Sequence, residues 1–257
     1  AAAAAAVAGK PAMPDPTGPA KEFCELLSAT VASVEEAGEA GDTEAPLAAL
    51  RGTLRGMSPE MPVHERLAWL LEDNTVDNAK LLESLREALD MVSFVPSQDA
   101  EFPEGFPTFT PVGFIQVKQY PASRAATSSG FWPLFMHIKS KGIAMTTPVK
   151  MEYADGDGRP RQQDMSFYYG DANLGAASPN GSVKVADRPA ETVVSLGLRG
   201  RMRDEAIADA ANRLERWVRS HDGYAAAGDY RVMAYSEPAT PRQNKYYEVQ
   251  IPLQKEP

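Results

Sequence analysis

Two spacings of apolar residues divide this chain. In its first third the apolar positions recur every three to four residues. Phe23, Leu26, Leu27, Val31 and Val34 fall on one helix face, and Leu47, Leu50 and Leu54 on a second. Val63, Leu67, Leu70 and Leu71 make a third stripe, and Leu82, Leu85, Leu89 and Val92 a fourth. Gly38, Gly41, Gly56, Pro59 and Pro62 punctuate the stripes, and Asn74 and Thr75 are candidates to cap the last helix. Residues 21–92 therefore read as a small antiparallel helical bundle. Residues 1–20, rich in alanine and proline, are expected to be disordered or extended.

Residues 93–110 carry Pro96, Pro103 and Pro107, interleaved with Phe94, Phe102, Phe106 and Phe109. The prolines deny regular structure. The rings predict a linker packed on the next domain rather than a free tether. From Pro111 the apolar spacing changes to two. Val112–Tyr120 reads as a strand, Pro121 turns it, and a second strand follows near Ala122–Ser128. A helix then carries Phe131, Leu134, Phe135 and Ile138, with lysines in its last turn and Gly142 to end it. Strands over Ile143–Tyr153 and Asp164–Gly170 complete a β-β-α-β-β unit. The order repeats from Val183: Arg188-Pro189 parts two strands, and a long helix carries Ile207, Ala210, Leu214, Trp217 and Val218. Strands at Tyr230–Ser236 and Tyr246–Leu253 close the unit. Within Ile143–Tyr153, Met145, Val149 and Met151 share one parity, which places them inside a barrel. Pro148 removes an amide donor, so this strand should lie at an edge or carry a bulge. The fold class is α+β: a distorted antiparallel β-barrel of two β-β-α-β-β halves, over 111–257, behind a helical region.

Composition narrows the function. The net charge is −9, and no lysine-arginine cluster marks a nucleic-acid footprint. No run of 18 apolar residues predicts a membrane span. Cys24 is the only cysteine, so neither an intramolecular disulfide, a cysteine zinc site nor a CxxCH heme attachment can form. The alanine-rich start fits an exported or organellar protein after signal removal; otherwise the chain is expected in the cytoplasm.

Several motifs then carry an identity. Ile143-Ala-Met-Thr-Thr-Pro-Val149 resembles the I-x-M-T-x-P-V signature of the SOUL, or heme-binding-protein, family. Val117-Lys-Gln-Tyr-Pro121, Asp187-Arg-Pro-Ala190 and Asn244-Lys-Tyr-Tyr-Glu-Val-Gln-Ile251 are similar to further family motifs in the same order. The resemblance covers about residues 110–254 and implies a barrel similar to gyrase-inhibitor-like ligand-binding domains. It implies a soluble binding protein for heme, another tetrapyrrole or a similar flat amphipathic molecule, held without a covalent bond. His137 lies beside the apolar stripe of its helix, so it is expected to face solvent or a groove edge; it is a candidate ligand-contact residue, but binding is expected to depend on it little. His221 and His64 read as structural. Met136, Met145, Met151, Met165 and Met233 are expected to fill gaps or form an adaptable apolar wall. Tyr168, Tyr169, Tyr235, Tyr246 and Tyr247 would line the same pocket. On the last strand Tyr247, Val249, Ile251 and Leu253 alternate inward, so Glu248 takes the other face. The related fold implies that Glu248, there, meets a cationic or polar ligand group. Two alternatives stand beside this reading. One is a small-molecule hydrolase with Glu248 as base, which needs a bound water in reach. The other is a non-catalytic interaction module that binds a protein through residues 21–110.

Overall fold

The four apolar stripes fold as four helices: α1 (Pro19–Ala37), α2 (Glu44–Arg55), α3 (Pro62–Glu72) and α4 (Asn78–Val92). The structure, a computed structural model, describes residue 13 and residues 18–37, 44–72, 77–156, 159–178 and 181–255. Leu27, Leu50, Leu67 and Leu85 meet at the centre of the bundle, and Phe114 from the following region joins them. The stripe on α4 is rotated by one position from the expected one: Leu81, Leu85, Ala88 and Val92 are buried, while Leu82 and Leu89 are partly so. Asp77 caps α4, its side chain accepting from the Lys80 amide at 2.8 Å; Asn74 and Thr75 lie outside the described residues. Most of residues 1–20 also lie outside them, but Met13 is buried and its amide donates to the Pro96 carbonyl at 2.9 Å.

The second half is one antiparallel sheet, a half-barrel, with two helices. Its first unit holds β1 (Ile115–Tyr120), β2 (Ser123–Ser128), α5 (Phe131–Lys141), β3 (Val149–Gly156) and β4 (Arg159–Tyr168). Its second holds β5 (Lys184–Arg188), β6 (Glu191–Arg199), α6 (Asp204–Ser220), β7 (Tyr224–Ala226), β8 (Arg231–Ala234) and β9 (Tyr246–Lys255). Strand order is β1-β6-β9-β8-β3-β4-β2-β5, with β7 beside β9. The halves meet where β3 pairs with β8. Each half also lends its first strand to the other, since β1 pairs with β6 and β5 with β2.

The Ile143–Tyr153 strand is shorter at its start than the alternation suggests. Pairing begins only at Val149, after a cis Thr147–Pro148 bond. Nor is β3 an edge strand: it pairs with both β4 and β8, and a bulge sits between Met151 and Tyr153. Placing Met145, Val149 and Met151 inside the barrel inverted the faces. Helices cover the face that these residues share. Met151 packs with Val232, Val249 and Ile251 under the α6 residues Ile207, Leu214 and Trp217. Met145 and Val149, only partly buried, pack with Leu134 and Ile138 of α5. On β9, likewise, Tyr247, Val249, Ile251 and Leu253 point at α6. Alternation correctly separates the two faces of a strand, but both faces here are buried, so hydrophobicity alone does not say which is the interior of the half-barrel.

The other, inner face is covered by the phenylalanine-rich segment. Phe106 meets Tyr120 and Tyr168 edge-on, with centroids 5.0 and 4.9 Å away. Phe109 meets Tyr246 at 5.5 Å, and Phe102 meets Tyr235 at 6.1 Å. Gly197 makes this approach possible. A Cβ built there would stand 2.1 Å from the Thr110 carbonyl oxygen and 2.6 Å from that of Pro111. Only the absence of a side chain lets the segment lie directly on β6.

Candidate functional site

Even-numbered residues of β9 and β1 meet on the inner face and build a buried polar network. Glu248 is fully buried. Lys118 reaches it from β1, with Nζ 2.8 and 2.9 Å from the two carboxylate oxygens. The Thr110 amide donates to Oε1 at 2.7 Å. Ser195 Oγ and Gln250 Nε2 donate to Oε2 at 2.9 and 2.7 Å. The Tyr246 hydroxyl lies 2.9 Å from Oε1 and 2.5 Å from the Thr110 carbonyl oxygen, its one proton serving both. Gln250 extends the network by donating to Tyr120 Oη at 2.9 Å and accepting from Arg231 Nε at 3.1 Å.

This packing sets the charge states. Burial pushes the Glu248 carboxyl up, but the Lys118 charge and the converging donors outweigh it and hold it below its ordinary range. Burial draws the Lys118 ammonium below its ordinary range, with Glu248 opposing the shift. At neutral pH the two form an ion pair. Burial, then the Glu248 charge, raise both Tyr235 and Tyr246 well above the usual phenol value, so both stay protonated. The Glu248 oxygens are thus filled by donors and have no room for a bound water. The hydrolase alternative asks for a base in contact with water, and this carboxylate is the opposite: ionised, saturated and sealed. Nor is it bare to meet a ligand cation, because Lys118 already sits on it.

The sequence-predicted residues separate into two groups. Tyr168, Met233, Tyr235, Tyr246 and Glu248 gather on the inner face beneath the phenylalanine segment. Met145 lies instead on the helix-covered side, in a half-open cavity of about 440 Å³. Phe131, Met151, Met165, Val149 and Met202 line that cavity with it, as do Asp99 and Glu237. Tyr235 borders both groups. Met136 belongs to neither; it is 58% exposed on α5, beside Trp132 at 70%. His137 is half-buried, and its Nε2 lies 2.9 Å from the Tyr169 hydroxyl. Burial and nearby Lys141 lower its pKa, so it is neutral at pH 7. His221 stacks on Trp217 at 3.9 Å, with Nδ1 2.8 Å from the Trp217 carbonyl oxygen.

Sequence reasoning missed Lys118, Ser195, Gln250 and Arg231. The signal was present in the parity of β1: Lys118 shares a face with Tyr120, the tyrosine of the Val117–Pro121 motif. A lysine on the buried parity of a strand needs a buried carboxylate, and Glu248 was the candidate at hand.

A family model described as SOUL heme-binding protein matches residues 109–252. No curated protein matches the sequence. Among solved structures, the C-terminal domain of EcmrR is 17% identical, with a TM-score of 0.41 over 56% of this chain and 98% of that one. EcmrR in a complex with DNA is 13% identical, with a TM-score of 0.46 over 92% of this chain and 81% of that one. A hydrolase from Listeria innocua is 10% identical, with a TM-score of 0.43 over 57% of this chain and 94% of that one. Likeness of this strength says nothing of ligand or activity.

Proposed function

The chain belongs to the SOUL heme-binding protein family, and from that premise we propose that it binds a tetrapyrrole or similar flat amphipathic molecule in the methionine-lined cavity. The single observation that carries this reading is the chemistry of that cavity. Its wall is made of Met145, Met151, Met165, Met202, Val149 and Phe131, and its volume of about 440 Å³ suits part of a planar ring. Thioether side chains are flexible and polarisable, so they follow the outline of a flat aromatic body.

Heme can be tested against these residues. The apolar wall fits the ring. The cavity lining holds two carboxylates, Asp99 and Glu237, and no lysine or arginine, so it offers propionates no partner and a tetrapyrrole would be held by its apolar edge. His137 does not line the cavity, and its Nε2 is engaged by Tyr169. Iron, when present, would supply axial coordination chemistry; the residues of this cavity supply ring contact. In this reading the protein carries or shields its ligand and does not transform it.

Titration of the full chain with heme and with iron-free protoporphyrin tests this. Both should bind, within about tenfold of each other, a difference of roughly 1.4 kcal/mol. Met145→Glu should weaken both, with the far-ultraviolet circular dichroism unchanged. Equal affinity in that variant would move the site elsewhere. A sharp Soret shift lost in His137→Ala and absent with iron-free porphyrin would make His137 the ligand and overturn the reading.

A further inference from the structure

We propose that the inner face also holds an oxyanion site, built by Arg188, Thr127, Ser166 and Lys150, which takes the carboxylate or phosphate group of a small molecule. It lies on the opposite face of the sheet from the methionine cavity and stands whether or not that cavity takes a ring.

Strand register brings three of the four together, and the Arg188 side chain reaches them from farther along β5. Thr127 of β2 faces Ser166 of β4, and Ser166 faces Lys150 of β3, so the three form one row across adjacent strands. Arg188 of β5 stands opposite Ser123, while Lys184 stands opposite Thr127; the Arg188 side chain reaches back to the row, its Nη2 donating to Thr127 Oγ1 at 3.1 Å. The two hydroxyls lie 2.8 Å apart. They carry two protons and share one hydrogen bond, so one proton is left to donate. Arg188 Nε is buried and has no hydrogen-bond partner among the described residues. An arginine fork with one arm tied and Nε idle is preorganised for a planar or tetrahedral oxyanion.

The charges lead to the same place. Three cations meet here, since Arg188 and Arg231 both act on Lys150 and on Glu152. Arg231 holds Glu191, its Nη1 donating to Oε2 at 3.0 Å and its Nη2 2.7 Å from Oε1 as an ion pair without hydrogen-bond geometry. Lys150 Nζ holds Glu152 Oε1 at 2.6 Å. Arg188 makes no direct ion pair among the described residues and only acts on Glu152 from a distance, so Lys150, Arg188 and Arg231 share the two carboxylates Glu152 and Glu191. Water also reaches this end of the face: the Glu152 side chain is 42% exposed and that of Glu191 33%, against none of Glu248. Glu152 is therefore the natural stand-in. It occupies Lys150 now and can turn out into water when a ligand oxyanion takes its place.

The test is calorimetric titration of the full chain at low ionic strength with inorganic phosphate and, separately, with benzoate. Saturable binding of either is expected, weakened at least about tenfold, or roughly 1.4 kcal/mol, in Arg188→Gln. Arg188→Lys keeps the charge without the fork, and should fold normally yet bind more weakly than the parent chain. Glu152→Gln removes the competing carboxylate and should bind more tightly. Benzoate alone binding would name an aromatic carboxylate; both binding would name oxyanions in general. No saturable binding of either probe to the parent chain or to Glu152→Gln would overturn the proposal, as would affinity indifferent to both Arg188 variants. Iron-free porphyrin titrated into Arg188→Gln reports on the methionine cavity independently.

Discussion

Replacing Lys118 with methionine should be costly at neutral pH and cheap in mild acid. Methionine nearly matches the lysine stem in length, so the main change is loss of the ammonium from the Glu248 carboxylate, 2.8 Å away in a site where neither side chain is more than 5% exposed. Removing one member of a buried pair costs about 3–5 kcal/mol when the other charge is stranded. Glu248 has an escape: it can take up a proton. For a carboxyl of ordinary value near 4.5, protonation at about pH 7 costs roughly 3.4 kcal/mol, at about 1.36 kcal/mol per unit. That cost caps the charge penalty. At about pH 5 the same cap falls to roughly 0.7 kcal/mol. The sign follows from linkage. In the parent chain the Glu248 carboxyl is held low, so its contribution is full above 4.5 and lost as the pH falls below that. In the variant, burial without a cation holds it high, so stability drains away as the pH rises from 4.5 toward the raised value. The gap between the two proteins should therefore widen from about 1 kcal/mol or less at pH 5 to about 2–3.4 kcal/mol at pH 7. Urea unfolding followed by tryptophan fluorescence measures it, with Trp217 reporting from beneath the sheet. Adding Glu248→Gln should recover much of the loss at pH 7. A gap that stays flat from pH 5 to 7, or one below about 1 kcal/mol at pH 7, would refute the argument that Lys118 is there to neutralise Glu248.

Gly197→Ala should destabilise the chain by more than about 2 kcal/mol, because its Cβ meets two backbone carbonyl oxygens that cannot move independently; chemical denaturation with unchanged m-value checks it. His137→Ala should change stability by only about 0.5–1.5 kcal/mol, the worth of its bond to Tyr169, and should leave porphyrin affinity within about twofold. A fragment of residues 93–257 should unfold cooperatively, whereas one of residues 112–257 should bind a hydrophobic dye and unfold over a broad range, having lost the Phe102, Phe106 and Phe109 rings and the Thr110 amide. Equal cooperativity in both fragments would show that the segment is not part of the core.

The order of elements was readable because each signal was local. Gly142 adopts the left-handed conformation that ends α5, and the stripe on α6 is buried as its spacing requires. The unit β-β-α-β-β, twice, followed from the change in spacing at Pro111. Less was legible where tertiary context decides. Phe102, Phe106 and Phe109 announce burial but not their target, and the pairing of Lys118 with Glu248 spans 130 positions that no local pattern connects. The faces of β3 and β9 were assigned the wrong way round because a strand buried on both sides gives alternation no outside to point to. The three-residue strand β7 is too short to leave any periodicity.

The exchange of first strands between the halves bears on how such a molecule is assembled. Neither half can complete its own sheet: β1 finds its partner 71 to 81 residues later in β6, from Tyr120 opposite Glu191 to Ile115 opposite Leu196. During synthesis β1 must wait, unpaired, until most of the second half has been made, and such long-range closure slows folding. A lone β-β-α-β-β unit would leave the edge of its second strand open and its first strand without a berth. Two copies of one unit would satisfy each other by the same exchange, so the single chain has the connectivity of an interlocked homodimer whose subunits have been joined end to end.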